Sequence, residues 1–375
     1  MFTAETPGSD APAPSGVAGS ATKHQIAVAK ADAAPQAPAA AAAAPATEGA
    51  FQSASLAAIV VQPRCIRRVK RSRGTAHVLP VYRLLDAASG ESYEFAEVLA
   101  GGEEDDPHGV CVALYRCSAA PHGVLVVKTL GYDDNTGEAA KVHAVACAGA
   151  AVAGCMVPAR VAQRAEVPAP GEAYGPEHYT VVLMAHGGRP LTRLAQGGDR
   201  ELLLAALRAV HAAAARLLRA GLAYVDLKMA NALYLRNADG AGVTVVLCDY
   251  GGLAPLGSPD AVATYPPPQH PRGVRVAASA GTVKHGMGAL LVSCFYEDLE
   301  PTLRYVKPNR KRLRDVAPVT DAGAAKLLRE ARDEALAEVE ARDEALGKAL
   351  RCAWDPCSTM ADLGRALQLA AEEEA

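Results

Sequence analysis

Asp226, Lys228, Asn231 and Asp249 crowd one stretch of this chain, YVDLKMANALYLRNADGAGVTVVLCDYGG (224–252). Two carboxylates, an amide and an ammonium are the residue types that phosphoryl transfer requires. That chemistry needs a group to orient the attacking hydroxyl and a cation near the moving phosphate. It also needs oxygen ligands for magnesium and a cover that excludes water. The plainer alternative is two ordinary strands with polar residues in their loops. Flanking residues decide between them.

The spacing D-L-K-x-x-N, followed by apolar residues and D-Y-G, resembles the protein-kinase template. On that template Asp226 orients the substrate hydroxyl and Lys228 reaches the transferring phosphate. Asn231 and Asp249 hold magnesium, with Tyr250 where phenylalanine is usual. The remaining parts lie upstream in the expected order. Lys128 ends the apolar run VLVVK and resembles the lysine that pairs with phosphates, and Glu138, ten residues on, opens a helical pattern and can hold it. VVLMAHGG (181–188) resembles the strand and hinge that bind adenine through backbone groups. There Met184 or Leu183 lines the pocket, followed by Ala185 and His186. ATP and magnesium are the implied cofactors. The lysine two places after Asp226 favours serine or threonine substrates over tyrosine.

Several template positions are altered. The glycine-rich loop reads LAGGEEDDPHGVCVAL, with Gly101, Gly102 and Gly109 around four acids that would repel a triphosphate. Only Gly109, followed by Val110, fits a glycine role. Tyr224-Val225 replaces His-Arg before Asp226, which removes the cationic pocket for an activation-loop phosphate. Pro267-Pro268-Gln269 stands for A-P-E, Thr359 for the arginine that would pair with its glutamate, and Val283 for an aspartate that braces the loop. Losing both members of a buried ion pair can be nearly neutral, whereas losing one is not. The chemistry-bearing residues remain while the control contacts are gone, which points to a constitutively competent enzyme. A scaffold without catalysis and a nucleoside kinase stay open as alternatives.

The elements that must position these residues follow from pattern. HVLPVYRLL, SYEFAEVLA, GVCVALYRC, GVLVVKTL and HYTVVLMA are short apolar or alternating runs, hence strands. A helix is expected over 138–153. Another is expected over 199–221, where Leu and Ala recur at helical spacing before a glycine stop. Helices dominate beyond residue 280. The fold class is α+β: a protein-kinase-like two-lobed fold with a strand-rich lobe at 78–184 and a hinge and mainly helical lobe at 185–370. Residues 1–55 are Ala/Pro-rich and too poor in large apolar side chains to order, and 56–77 form a basic linker. Its cluster RCIRRVKRSRG (64–74) suits nuclear import, nucleic-acid contact or a solvated charge run equally well. RYVKPNRKRLRD (304–315) is a second basic cluster, and EARDEAL occurs twice, at 330–336 and 340–346, in what reads as a charged, exposed helix.

The 375 residues are 50% hydrophobic but only 5% aromatic, with a net charge of −3 that favours no partner class overall. Nine cysteines without a C-x-x-C pair suggest reduced thiols in an intracellular protein. The N-terminus lacks secretory-signal features, and the uncharged run 144–159 falls short of the ~20 strongly apolar residues of a membrane span.

VLVVKTL, YVDLKMANALYL, VVLCDYGGLAPLG and TYPPPQHP together resemble the conserved herpesvirus protein kinases, particularly the gammaherpesvirus branch. The resemblance spans roughly 90–300 and, more weakly, 340–370. It implies a serine/threonine kinase of the virion tegument that acts in the host nucleus. Its substrates would be viral and host proteins, some at proline-directed sites, and nucleoside analogues in several members.

Overall fold

The structure, a computed structural model, describes residues 56–70, 76–101, 110–117, 123–130, 137–167, 177–237, 242–267, 275–299 and 321–374. The N-terminal tail, Gly109, Gln269 and the basic cluster at 304–315 lie outside these, as does the end of the first basic cluster. The described chain is mixed α+β, strand-rich first and helix-rich later.

Alternating side chains explain the first part. Strands β1 (Ile59–Lys70), β2 (Ala76–Asp86), β3 (Ser92–Gly101), β4 (Cys111–Cys117), β5 (Val124–Leu130), β6 (Ala159–Val167) and β7 (Glu177–Ala185) form one antiparallel sheet. Their order is β1-β2-β3-β4-β5-β7-β6. In β5, Leu125 and Val127 join Tyr82, Tyr115 and Leu183 in a core on one face. Val126 and Leu130 face the other way, toward a second core shared with the helical part. A strand buried on both faces reads as a continuous apolar run, which is why VLVVKTL carries so little polarity. The Arg160 guanidinium of β6 donates to the carbonyls of Leu56 and Ile59, bringing the two edges of the sheet together.

Helix α1 (Glu138–Ala148) is shorter than the expected 138–153. Gly149 takes φ 53° at its C-terminus, and the chain continues as a 3-10 turn to Val152. Neither β6 nor β1 is among the strands expected from sequence, and β1 runs through the stretch expected to be a basic linker. Strand β6 follows a segment in which Leu247 donates to the Cys155 carbonyl at 2.9 Å and Val157 donates to the Leu247 carbonyl at 2.8 Å. These bonds stitch the sheet to the later strands.

The second part begins with β8 (Arg189–Pro190), α2 (Leu191–Gln196) and α3 (Arg200–Arg219). Asp199 caps α3 by accepting from the Leu202 amide at 3.2 Å. Short strands β9 (Leu222–Tyr224), β10 (Ala232–Arg236), β11 (Val243–Leu247), β12 (Leu253–Pro255), β13 (Ala261–Val262) and β14 (Arg275–Val276) follow. Strands β8, β10 and β11 form one small sheet, while β9 pairs with β12 and β13 with β14. Helix α4 (Ala280–Phe295), capped by Ser279, is buried along most of its length. Helices α5 (Asp321–Arg342), α6 (Glu344–Trp354) and α7 (Met360–Glu374) complete the described chain.

The EARDEAL repeat is not one exposed helix. Its first copy lies inside α5, with Ala335 buried. Its second copy is broken at Asp343, which accepts from the Leu346 amide at 2.8 Å to start α6. Among the described residues no helix is long and apolar enough to cross a membrane.

Candidate active site

Strand β5 turns Lys128 toward the second core, and there it meets carboxylates from two other elements. Its Nζ lies 2.7 Å from Glu138 Oε2, in the first turn of α1, and 2.8 Å from Asp249 Oδ1 after β11. Burial alone would lower the pKa of this ammonium. The charges of Asp249 and Glu138 outweigh that and hold it above the ordinary lysine value. Burial likewise works against the Asp249 carboxylate, and Lys128 overcomes it, keeping Asp249 below the usual carboxylate range.

Asp249 adopts φ 61°, the sole positive φ of a non-glycine residue among those described. Aspartate tolerates this left-handed region better than most residues, but strain of this kind persists only when neighbours enforce it. Several do. The buried Tyr224 hydroxyl donates to the Cys248 carbonyl and lies 3.3 Å from that of Asp249. Burial pushes this phenol far above its ordinary pKa, so it stays protonated as a donor. Tyr250 anchors the other side by donating to the Val157 carbonyl at 2.6 Å. The tyrosine before Val225 is thus a strut under Asp249, and Tyr250 gains a polar anchor that phenylalanine would lack.

Asp226 follows β9 in a loop whose Val225 amide donates to the Gly252 carbonyl at 2.9 Å. Both oxygens of its carboxylate are held, with three of about four acceptor sites taken. Oδ1 accepts from the Thr264 amide at 2.7 Å, and Oδ2 accepts from Lys228 Nζ at 2.7 Å and Asn231 Nδ2 at 3.0 Å. Lys228 also lies 3.4 Å from the Thr264 hydroxyl. Gly252 packs so tightly on this loop that a Cβ there would stand 2.7 Å from Asp226 Cβ. Asp226, Lys228, Asn231 and Asp249 therefore converge on one place, with Lys128 and Glu138 joined to them through Asp249.

The donor chemistry fits magnesium. Asn231 commits Nδ2 to Asp226, which leaves its Oδ1 as an acceptor, and Asp249 commits Oδ1 to Lys128 and Gly251, which leaves Oδ2. The Cys248 amide donates to the Asn231 carbonyl at 2.9 Å and holds the two elements side by side. Two hard oxygens, completed by phosphate and water, suit this cation. No group of three His, Cys, Asp or Glu among the described residues makes a self-sufficient metal cage.

The stretch expected to bind adenine is divided between two faces. Met184 packs in the core on the Lys128 face, but Leu183 belongs to the opposite one, because neighbouring strand residues point to opposite faces. The Ala185 amide is already given to the Pro158 carbonyl at 2.9 Å, so Ala185 could offer adenine only its carbonyl. His186 is exposed just beyond. Val110 is 45% exposed ahead of β4, and Val112, directly opposite Lys128 in register, was missed by the sequence reading. The demand for glycine falls on Gly101. It has φ 71°, and a Cβ there would collide with the Val110 carbonyl oxygen at 1.8 Å.

Thr264 was read only as part of TYPPPQHP, and its bonds to Asp226 and Lys228 join residues 38 and 36 positions apart. No local pattern announces them. Thr359, in place of an arginine, forms a reciprocal cap with Asp362, donating through its hydroxyl at 2.7 Å and accepting from the Asp362 amide at 3.2 Å. Lys284, next to Val283 on α4, donates to the carbonyls of Asp355 and Ser358.

No known family profile and no curated protein sequence matches this chain. Among solved structures it is similar to one of vaccinia related kinase 3, at 11% identity and a TM-score of 0.45, over 78% of this chain and 90% of that one. That likeness assigns no residue role.

Proposed function

We propose that the chain is an ATP-dependent serine/threonine protein kinase with a protein-kinase-like two-lobed fold, competent without phospho-activation. The observation that carries this is Lys128 bonded at once to Glu138 and Asp249, beside an Asp226 held by Lys228, Asn231 and Thr264. A scaffold that had given up catalysis would have little reason to keep three ion pairs in one place, one of them with both partners buried.

When bound, ATP and magnesium supply the phosphoryl group and the charge that screens it. Asn231 Oδ1 and Asp249 Oδ2 would hold the metal, and Lys128 would turn from Asp249 toward phosphate oxygens while keeping Glu138. Asp226, its charge offset by Lys228, orients the incoming hydroxyl and accepts its proton late. Lys228 and Thr264 hold that carboxylate in one rotamer, so no phosphorylated segment has to be bound to order it. The finer reading extends to the herpesvirus kinases, with viral and host protein substrates, a tegument and nuclear location, and nucleoside analogues as secondary substrates.

The test is transfer of labelled γ-phosphate to a Ser/Thr-Pro peptide and to a nucleoside, by wild type and by Asp226→Asn. Peptide phosphorylation that falls at least ~100-fold in the variant is expected, a typical share for a general base. Near-full activity of the variant would remove Asp226 from its role. A wild type with neither transfer nor a thermal shift in Mg-ATP is a scaffold, and preference for the nucleoside would reassign the substrate class.

A further inference from the structure

Helix α1 carries Glu138 into the site, yet little in its own sequence holds it there. Only Glu138 and Val142 are buried among its 11 residues, and Gly137, at its N-cap, offers no side chain to cap it. A helix this short is marginal on its own, so its placement depends on tertiary contacts. One turn beyond Glu138, on the same side of the helix, Lys141 donates from Nζ to the Gly251 carbonyl at 2.8 Å.

Gly251 is bonded in two directions. Its amide donates to Asp249 Oδ1 at 3.3 Å, and its carbonyl takes Lys141. The turn around it is closed by the Gly252 amide donating to the Asp249 carbonyl at 3.1 Å. Lys141 therefore grips the turn that orients Asp249, while Lys128 grips Glu138 and Asp249 themselves. Two cations, one from the sheet and one from α1, join the helix to the Asp249 turn at separate points. Two points of attachment remove the rotation that a single ion pair would leave.

We infer that Lys141 is a positioning residue that clamps α1 onto the Asp249 turn, setting the spacing of Glu138 and Asp249 around Lys128 with no outside effector. Its consequence for turnover rests on the kinase reading above; the clamp itself does not. In sequence Lys141 is one more charge on a short, alanine-rich helix, and only the fold shows its partner.

The experiment compares full-length wild type, Lys141→Met and Lys141→Arg by amide hydrogen exchange and by steady-state kinetics. In Lys141→Met, exchange over 138–148 and 249–253 should quicken roughly tenfold, the weight of one hydrogen bond to a charged group. Turnover should fall by a similar factor with peptide KM unchanged, and Lys141→Arg should recover most of both. Exchange and turnover within about twofold of wild type in Lys141→Met would overturn the clamp. So would an arginine variant as impaired as the methionine one, since that would indicate packing and not the bond. If wild type transfers no phosphate, the kinase reading falls, and the exchange comparison still decides the clamp.

Discussion

Replacing Lys128 with methionine tests the ion triad through stability, independently of catalysis. The side chains of Lys128 and Glu138 are 9% and 3% exposed and 2.7 Å apart, so the substitution strands Glu138 in the core. Removing one partner of such a pair costs about 3–5 kcal/mol. The Asp249 arm adds less, because that side chain is 35% exposed and water screens it. A loss of this size lowers the melting temperature by about 6–12 °C in a domain of this order. Its pH dependence is the sharper signature. In wild type the depressed Asp249 value makes its contribution disappear only as pH falls through that value, and the raised Lys128 value only at strongly alkaline pH. Between them the triad's contribution is flat. In Lys128→Met a buried carboxyl without a cation titrates upward, so the folded state binds more protons than the unfolded one and stability falls as pH rises. The deficit should therefore be smallest near about pH 5 and full by about pH 8. The double variant Lys128→Met/Glu138→Leu, which removes the stranded charge, should regain most of it. Urea unfolding of the three proteins at both pH values measures this. A deficit below about 1 kcal/mol at the higher pH, or one equal at both, would refute a buried, mutually dependent pair. The corollary is that Asp226→Asn is the cleaner probe of catalysis, since it keeps size and leaves the buried Lys128–Glu138 pair whole, losing only the bonds on the side where the new amide NH2 meets a donor.

Gly252→Ala should push Asp226 out of line, because the added Cβ would sit 2.7 Å from Asp226 Cβ. Turnover is expected to fall on the order of 100-fold while Mg-ATP still shifts the melting curve, and wild-type turnover would show that the loop yields. Asp343→Ala removes both the cap of α6 and the partner of Arg200, for a loss of about 2 kcal/mol. Asp333→Ala, the matching position of the other repeat copy, should stay within about 0.5 kcal/mol, and equal effects in thermal unfolding would contradict the break at Asp343.

That these polar residues gather in one place was legible because most of them lie close together in sequence. Asp226, Lys228 and Asn231 share one loop, and Asn231 bonds Asp226 five positions back. Lys128 and Glu138 are ten residues apart on adjoining elements. The stretch 181–188 was less legible, since strand parity and a committed Ala185 amide decide what faces Lys128. Strand β6 is hard to read from sequence because ARVAQRAEV has only two valines among small and polar residues and no strict alternation. Thr264, Lys141 and the strut role of Tyr224 were invisible for a different reason: each acts on a residue at least 24 positions away.

By itself, then, the sequence determined the identity and order of the polar groups that the fold brings together, and the periodicities that make a strand-rich part precede a helical one. It could not determine how those groups are held. EARDEAL shows why. The same seven residues run through α5 at 330–336 and break into the start of α6 at 340–346. Local propensity is identical in the two copies. The difference is that Asp343 meets Arg200 of α3, whose guanidinium lies over the Phe295 ring, and so becomes a cap, while Asp333 meets its neighbour Arg332 near the surface. Conformation there is chosen by a partner 143 residues away, and no reading of the heptapeptide contains it.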